Sequence, residues 1–372
     1  MRLSLRAVAF FAVFCGSVLS GSSDAHAGYE KNDIGALVDY TAKYEDTFIH
    51  LARRNGLGFV EMRAANPGID PWIPGAGTKL VIPAHHLLPD APRKDVVINL
   101  PEMRIYAYVN GDKAPLSFPI GVGREGLSTP LGKTTVVRKV EGPVWRPTPR
   151  MRKLDPELPE AVYPGPDNPM GTHALYLGWS QYAIHGTNKP YGIGRRSSSG
   201  CIRMYPEDVK VFYQRIPVGT QVNVVNQPLK LAWIGNDLYM EAHPDLEQTI
   251  KMEESGVIEQ QKMSDADMNL ILQRAGTFQD YLNWPKIRTA IRERRGYPIV
   301  IAHVPESKVN VSAGGDDDLD KKDESGKEAK APVVRPAQKP EYATTVKVGG
   351  GSLDQTITVI PVKKPRIVPR ID

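Results

Sequence analysis

The chain has 372 residues, 41% of them hydrophobic, and 47 Lys and Arg against 42 Asp and Glu give a formal charge of +5. That length accommodates two or three compact units, and the composition is ordinary for globular protein. The basic residues are interspersed, without the stripe of basic and aromatic side chains that a nucleic-acid groove uses, so no nucleic-acid partner is expected.

In chain order, the first element is an export signal. Arg2 and Arg6 precede an apolar run from Ala7 to Leu19, and small residues end in Ala25-His26-Ala27. This predicts a secretory signal peptide over 1–27, cleaved after Ala27. The apolar run falls short of the roughly 20 residues of a membrane-spanning helix, so no span is expected after cleavage. Cys15, preceded by the bulky Phe14, leaves with the signal. Cys201 is then the lone cysteine of a protein sent to a compartment where thiols usually pair.

Residues 37–84 read as a unit of strand, helix, helix, strand. Tyr40 to Tyr44 has strand character, and Asp46-Thr47 is a helix start before Phe48, Ile49, Leu51 and Ala52. Phe59 to Ala65 is a second helix stopped at Asn66-Pro67-Gly68, and Lys79-Leu80-Val81-Ile82 closes the unit before Pro83. The AANPGIDPW segment, the Pro74-Gly75 turn and the closing LVIP resemble a LysM domain. That resemblance implies peptidoglycan as a partner, bound in a groove between the first strand-helix loop and the second helix-strand loop. Glu45 stands where such domains usually have Gly. Deletion of residues 28–84 is expected to weaken wall binding and leave the thiol reactive.

Residues 94–228 change character. DVVINL, RIYAYV, LSFPIGVG, KTTVVRKV, ALYLGWS, YAIHG and TQVNVVN are short alternating or β-branched runs between Pro, Gly and Asn turns, which predicts a mainly β domain. The Pro-rich stretch from Val144 to Met170 is too long for a routine connector and is expected to frame a site. Residues 229–304 read as an α+β accessory region. It has a hairpin turning at Gly235-Asn236, helical spacing over Asp265–Ala275 and Pro285–Arg295, and a closing strand in YPIVIAHV. Residues 305–372 are charged and Pro-rich, with too little apolar surface to offset ordering entropy, which predicts a disordered tail.

Chemistry concentrates in AIHGTNKPYGIGRRSSSGCIRMYPEDV, residues 183–209. His185 ends a short apolar strand, a Gly-rich loop follows, and Ser199-Gly200-Cys201 leads toward a helix near Pro206. A free thiol of pKa about 8.5 is only a few per cent thiolate at neutral pH, so a base within hydrogen-bond reach is what makes it a nucleophile. A Gly just before the nucleophile permits a tight turn in which backbone N–H groups converge as an oxyanion hole. No carboxylate is placed to orient His185, and a backbone carbonyl suffices to fix its tautomer.

His185-Gly186 and Ser198-Ser199-Gly200-Cys201-Ile202-Arg203 resemble the catalytic motif of the L,D-transpeptidase family. LysM followed by this domain, with its STPLG and PDNPMG segments, is similar to the periplasmic members that anchor lipoproteins. The resemblance implies a mainly β fold, periplasmic location, Cys201 as nucleophile, His185 as general base and the Gly186 carbonyl as its orienter. Ser199 stands where many members have a second histidine. Arg203 either fixes the loop or meets a substrate carboxylate, Ser199 and Gly200 shape the substrate site, and His173 is a candidate lining residue. Trp179 and Tyr182 read as core or rim.

The implied reaction is attack on the carbonyl after the L-centre of a peptidoglycan tetrapeptide stem, with loss of D-Ala and a thioester intermediate. The acceptor is a diaminopimelate amine or, favoured here, the lysine of an outer-membrane lipoprotein. The resemblance also implies acylation by carbapenems. A hydrolase of the same fold and a non-catalytic wall-binding protein are the rival readings. No cofactor is called for, and no metal-ligand cluster is visible in the sequence.

Overall fold

The computed structural model describes residues 29–109 and 114–308. The expected signal peptide and the expected tail beyond residue 308 lie outside the described residues.

The N-terminal unit opens with β1 (Asp33–Gly35) and β2 (Val38–Thr41), continues through α1 (Phe48–Arg54) and α2 (Phe59–Ala65), and closes with β3 (Lys79–Ile82) and β4 (His85–Leu87). β2 pairs antiparallel with β3, and β1 with β4. α1 begins where Thr47 caps it, its hydroxyl accepting the His50 N–H at 3.2 Å. α2 begins at Gly58, whose N–H donates to the buried Glu61 carboxylate at 2.9 Å. The Phe48 N–H donates to the Pro71 carbonyl at 2.8 Å, drawing the first strand-helix loop against the second helix-strand loop.

The central sheet follows with β5 (Asp95–Asn99), β6 (Arg104–Tyr108), β7 (Leu116–Gly123) and β8 (Gly132–Glu141). α3 (Pro149–Leu154) interrupts before β9 (His173–Leu177) and β10 (Ala183–His185), and then come β11 (Arg196–Ser198), β12 (Ile202–Met204), α4 (Pro206–Arg215) and β13 (Gln221–Val225). Hydrogen-bonded order is β11-β7-β12-β10-β9-β8-β13-β5-β6, and β6 also pairs with β7. The order therefore returns on itself as a ring of β7, β12, β10, β9, β8, β13, β5 and β6, which leaves those strands no free edge. Most pairs are antiparallel, and the parallel ones are β10–β12, β11–β7 and β13–β5. This is the mainly β architecture expected for 94–228.

Inward residues of the ring, among them Val96, Ile98, Ile105, Ile120, Ile184, Ile202 and Val222, are essentially solvent-free, and α4 adds Val209 and Phe212. Pro206 sits in the first turn of α4, where its missing N–H costs nothing, and Glu207 complements the positive end of the helix. Phe48, Leu51, Leu57, Phe59 and Met62 of the N-terminal unit belong to the same continuous core. Each such side chain contributes about 1.5–3 kcal/mol through burial, so the shared surface is a large part of what holds the two together.

The C-terminal region has a three-stranded antiparallel sheet of β14 (Leu229–Ile234), β15 (Asp237–Ala242) and β16 (Ile299–His303), in the order β14-β15-β16. Between β15 and β16 come α5 (Leu246–Ser255), α6 (Asp265–Ala275) and α7 (Trp284–Glu293). α6 and α7 cover the sheet over a separate core that includes Leu238, Met240, Ile271, Ile287 and Ile301. α5, which sequence periodicity did not reveal, packs on α2, and its Met252 joins the main core. Among the described residues no helix is long and apolar enough to cross a membrane.

The three regions meet at a buried ionic junction. Lys230 Nζ lies 2.9 Å from both Glu102 Oε1 and Glu241 Oε1 and donates to the Leu87 carbonyl at 2.6 Å. Arg104 reaches Glu61 at 3.0 Å, Tyr106 donates its hydroxyl proton to Glu102, and His243 Nε2 is 2.6 Å from Glu241. His86, Glu102 and Glu241 bring ligand-type atoms within 4.8 Å of one another, a cluster the sequence did not disclose. The Lys230 ammonium already supplies the cation between the two carboxylates. The cluster is therefore an ion-pair network rather than a metal centre.

Candidate active site

β10 and β12 run parallel, with Ile184 opposite Ile202 and His185 opposite Arg203. Side chains alternate across a strand, so buried Ile184 and Ile202 point inward. Ala183, His185, Arg203 and Cys201, which just precedes β12, face the other way into one cavity of about 980 Å³. Cys201 and His185 are thus diagonal neighbours on adjacent strands. That register is how the fold brings together two residues sixteen positions apart.

His185 is buried, and its Nδ1 lies 2.6 Å from the Gly186 carbonyl, the partner expected from sequence. Such a contact places the proton on Nδ1 and leaves Nε2 with its lone pair. Burial, reinforced by the Arg203 charge, pushes the imidazole pKa down to about 4 against a smaller upward pull from the Gly186 and Met170 carbonyls. The Gly186 N–H donates to the His173 carbonyl at 3.1 Å, which fixes the peptide that holds the ring.

Cys201 is free and half-buried, its Sγ 3.5 Å from the Gln181 carbonyl. Burial raises its pKa above the ordinary thiol value, and a backbone hydrogen bond from Ala183 and the Arg203 charge oppose that rise. Both shifts favour a neutral thiol and a neutral imidazole at rest on one cavity face. Preceding it, Gly200 has φ of +109°, and a Cβ there would lie 2.9 Å from the Tyr182 ring. Glycine alone satisfies both constraints.

The Gly200 N–H does not converge on the nucleophile. It donates to Ser198 Oγ at 3.1 Å, while Ser198 Oγ donates to the Cys201 carbonyl at 2.5 Å and Thr129 Oγ1 to the Gly200 carbonyl at 2.8 Å. These bonds stiffen the turn and remove one donor that the oxyanion expectation had counted. Ser199 and Arg203 line the cavity as expected, and the Arg203 Nη1 also reaches the Ser197 carbonyl at 3.4 Å.

His173 corrects a sequence expectation. Its neighbour Ala174 pairs with His185 and shares the cavity face, so strand alternation turns His173 to the opposite side. There it packs on Tyr213 of α4 with ring centroids 4.7 Å apart, and its Nδ1 lies 2.8 Å from Thr172 Oγ1. Tyr182 belongs to the cavity wall, with Trp179 against its edge.

The Pro-rich stretch forms the far wall through Val144, Trp145, Thr148, Met151, Leu154 and Met170. It is held by buried Asn168, whose amide donates to the carbonyls of Pro143, Val162 and Tyr163 and accepts the Met170 N–H at 2.8 Å. Apart from Arg203, sequence reading missed the arginines of the rim. Arg124, Arg138, Arg146, Arg150 and Arg203 all line the cavity, and among the described residues no Asp or Glu does.

Residues 93–224 match the family model YkuD, the L,D-transpeptidase catalytic domain. The probable L,D-transpeptidase YbiS of Escherichia coli K12 is 39% identical over 256 residues, 67% of this chain and 81% of that one. This chain belongs to the L,D-transpeptidase family. The probable L,D-transpeptidase YcfS of the same organism is 40% identical over 244 residues, 63% of this chain and 72% of that one. The probable L,D-transpeptidase ErfK/SrfK is 45% identical over 197 residues, 52% of this chain, and the match spans 62% of its own length. Family membership makes the protein an acyl-transferring enzyme and draws attention to the thiol and imidazole of the cavity.

Proposed function

We propose that the protein is a periplasmic cysteine L,D-transpeptidase that works on peptidoglycan tetrapeptide stems through a thioester. The observation that carries this reading is the shared face of Cys201 and His185 in one cavity, with the Gly186 carbonyl engaging Nδ1 so that Nε2 is available as base.

In this mechanism His185 Nε2 takes the thiol proton as sulfur attacks the carbonyl after the L-centre of the stem. The tetrahedral adduct collapses, His185 returns the proton to the departing amine, and D-Ala leaves. An acceptor amine then loses its proton to His185, attacks the thioester and regenerates the Cys201 thiol. With its pKa pushed down to about 4 by burial, the imidazole is neutral at pH 7 and has a lone pair for the thiol proton, and the same burial makes it a weaker base than an ordinary histidine.

For the acceptor we favour the lysine of an outer-membrane lipoprotein over a diaminopimelate amine, because a flexible ε-amine reaches a walled cavity more readily than a stem on a glycan strand. The N-terminal unit is read as a LysM wall anchor. Tyr44 and Ile73, 92% and 76% exposed on its two apposed loops, are the candidates for sugar contact.

Intact-protein mass spectrometry with a tetrapeptide muropeptide tests the central step. An acyl adduct with loss of D-Ala is expected, together with a carbapenem adduct, and Cys201→Ser should form neither. Hydrolysis of the adduct without transfer to any amine would favour the hydrolase reading, and no adduct with any stem would overturn the mechanism.

A further inference from the structure

The cavity rim carries five arginines and, among the described residues, no carboxylate, an imbalance that the transfer chemistry alone does not require. Of the four that lie outside the cysteine motif, Arg138 has the clearest placement. It stands on β8 opposite Tyr176 of β9, and Tyr176 in turn stands opposite Ala183 of β10, so the three form one row across the sheet. The Arg138 guanidinium lies 3.9 Å from the centre of the ring of Tyr176, itself a cavity-lining residue, and among the described residues its N–H groups have no hydrogen-bond or ion-pair partner. Arg146, by contrast, already has Glu160 at 3.7 Å.

Resting on the proposed function, we infer that Arg138 is a specificity residue that binds the free α-carboxylate of the D-glutamate at the second position of the donor stem. Adjacent strands are about 4.8 Å apart, so a guanidinium over Tyr176 lies roughly 10 Å from Cys201, two strands away. From the sulfur of a thioester, back through the L-centred residue and the γ-linked glutamate, the α-carboxylate is also roughly 10 Å distant at ordinary bond lengths. The diaminopimelate side chain ends in a carboxylate paired with its own ammonium, and a cavity lined by arginines with no lining carboxylate offers that ammonium no counter-charge. The glutamate α-carboxylate has no such neighbour. The planar fork of Arg138 matches it in two-point fashion, as a carboxamide cannot be matched.

The test compares acylation of Cys201 by tetrapeptide stems bearing D-glutamate, D-isoglutamine, or an amidated diaminopimelate. The native protein should prefer the D-glutamate stem over the D-isoglutamine stem by about 10- to 100-fold in acylation efficiency. Arg138→Gln should remove that preference by slowing the acid stem alone, with iodoacetamide labelling of Cys201 unchanged. Added salt should shrink the preference in the native protein, an arm that needs no variant. Equal rates for the two stems, a preference that survives Arg138→Gln, or a preference insensitive to salt overturns the inference and leaves the thioester mechanism standing. An Arg138-dependent effect of the diaminopimelate amide instead reassigns the carboxylate and also overturns it. Failure of every stem to acylate the native protein removes the mechanism and the inference together.

Discussion

Cys201 and His185 sit in an environment that opposes charge on both. Burial raises the thiol pKa and lowers that of the imidazole to about 4. A preformed thiolate–imidazolium pair would label rapidly with iodoacetamide at pH 6. Here the alkylation rate should instead climb with pH through the ordinary thiol range and beyond, with no thiolate plateau near neutrality. Transfer at constant substrate should not fall from histidine protonation until the pH approaches 4. His185→Ala should lower acylation by about two to four orders of magnitude. A variant that retains most of the rate would remove His185 from the base role.

Among the loops, the stretch joining His185 to Cys201 is the one whose glycines have the most specific cause. Gly194 has φ of +70°, and a Cβ there would lie 2.2 Å from the Gly58 Cα at the start of α2. The Val60 N–H donates to the Gly194 carbonyl at 3.2 Å, so α2 rests directly on this loop. α5 holds the two residues that follow Gly194, with Glu253 Oε1 2.6 Å from Arg195 Nη1 and the Leu246 carbonyl 2.5 Å from Arg196 Nη1. Elements outside the barrel thus set the path between base and nucleophile. Gly194→Ala should cost about 1–2 kcal/mol from the left-handed backbone, and more from the Cβ driven against Gly58. It should also slow Cys201 labelling, read by thermal denaturation and iodoacetamide kinetics. Unchanged labelling in a destabilised variant would mean that the loop's path does not govern the thiol.

Over the whole molecule, the N-terminal unit is no detachable appendage. Phe48, Leu51 and Phe59 pack in one core with the barrel, and Arg53 makes a two-point contact with Glu207 of α4 at 2.7 and 2.8 Å. Removing residues 28–84 should therefore give an aggregating remnant rather than the reactive catalytic domain expected from sequence. Wall binding is better tested with Tyr44→Ala and Ile73→Ala. The ionic junction is the second tie. Burial alone would raise the Glu102 carboxyl, but Lys230, His243 and Arg104 hold it below the ordinary 4.5. A carboxyl whose folded pKa is depressed stabilises the fold above its unfolded pKa and loses that contribution as pH falls through the folded value. Glu102→Gln should accordingly cost about 3–5 kcal/mol near neutrality, and the deficit should narrow below about pH 4.5 in denaturant titrations. A deficit independent of pH would point to packing rather than charge.

What the sequence determined by itself was whatever depends on neighbours along the chain. Thr47 caps α1, the hairpin turns at Gly235-Asn236, α6 spans Asp265–Ala275, and His185-Gly186 supplies its own orienting carbonyl, because each rests on contacts within a few positions. Only the tertiary structure decided what depends on strand register and on distant packing. A one-residue alternation on β9 turns His173 away from the cavity, and three paired strands put Arg138 in line with the thiol's face. Lys230, Glu102 and Glu241 meet from separate regions, and Gly194 owes its identity to Gly58. Periodicity carries the direction of a side chain relative to its own strand. It carries nothing about which strand lies beside it, and in a closed barrel that neighbour decides which residues share a site.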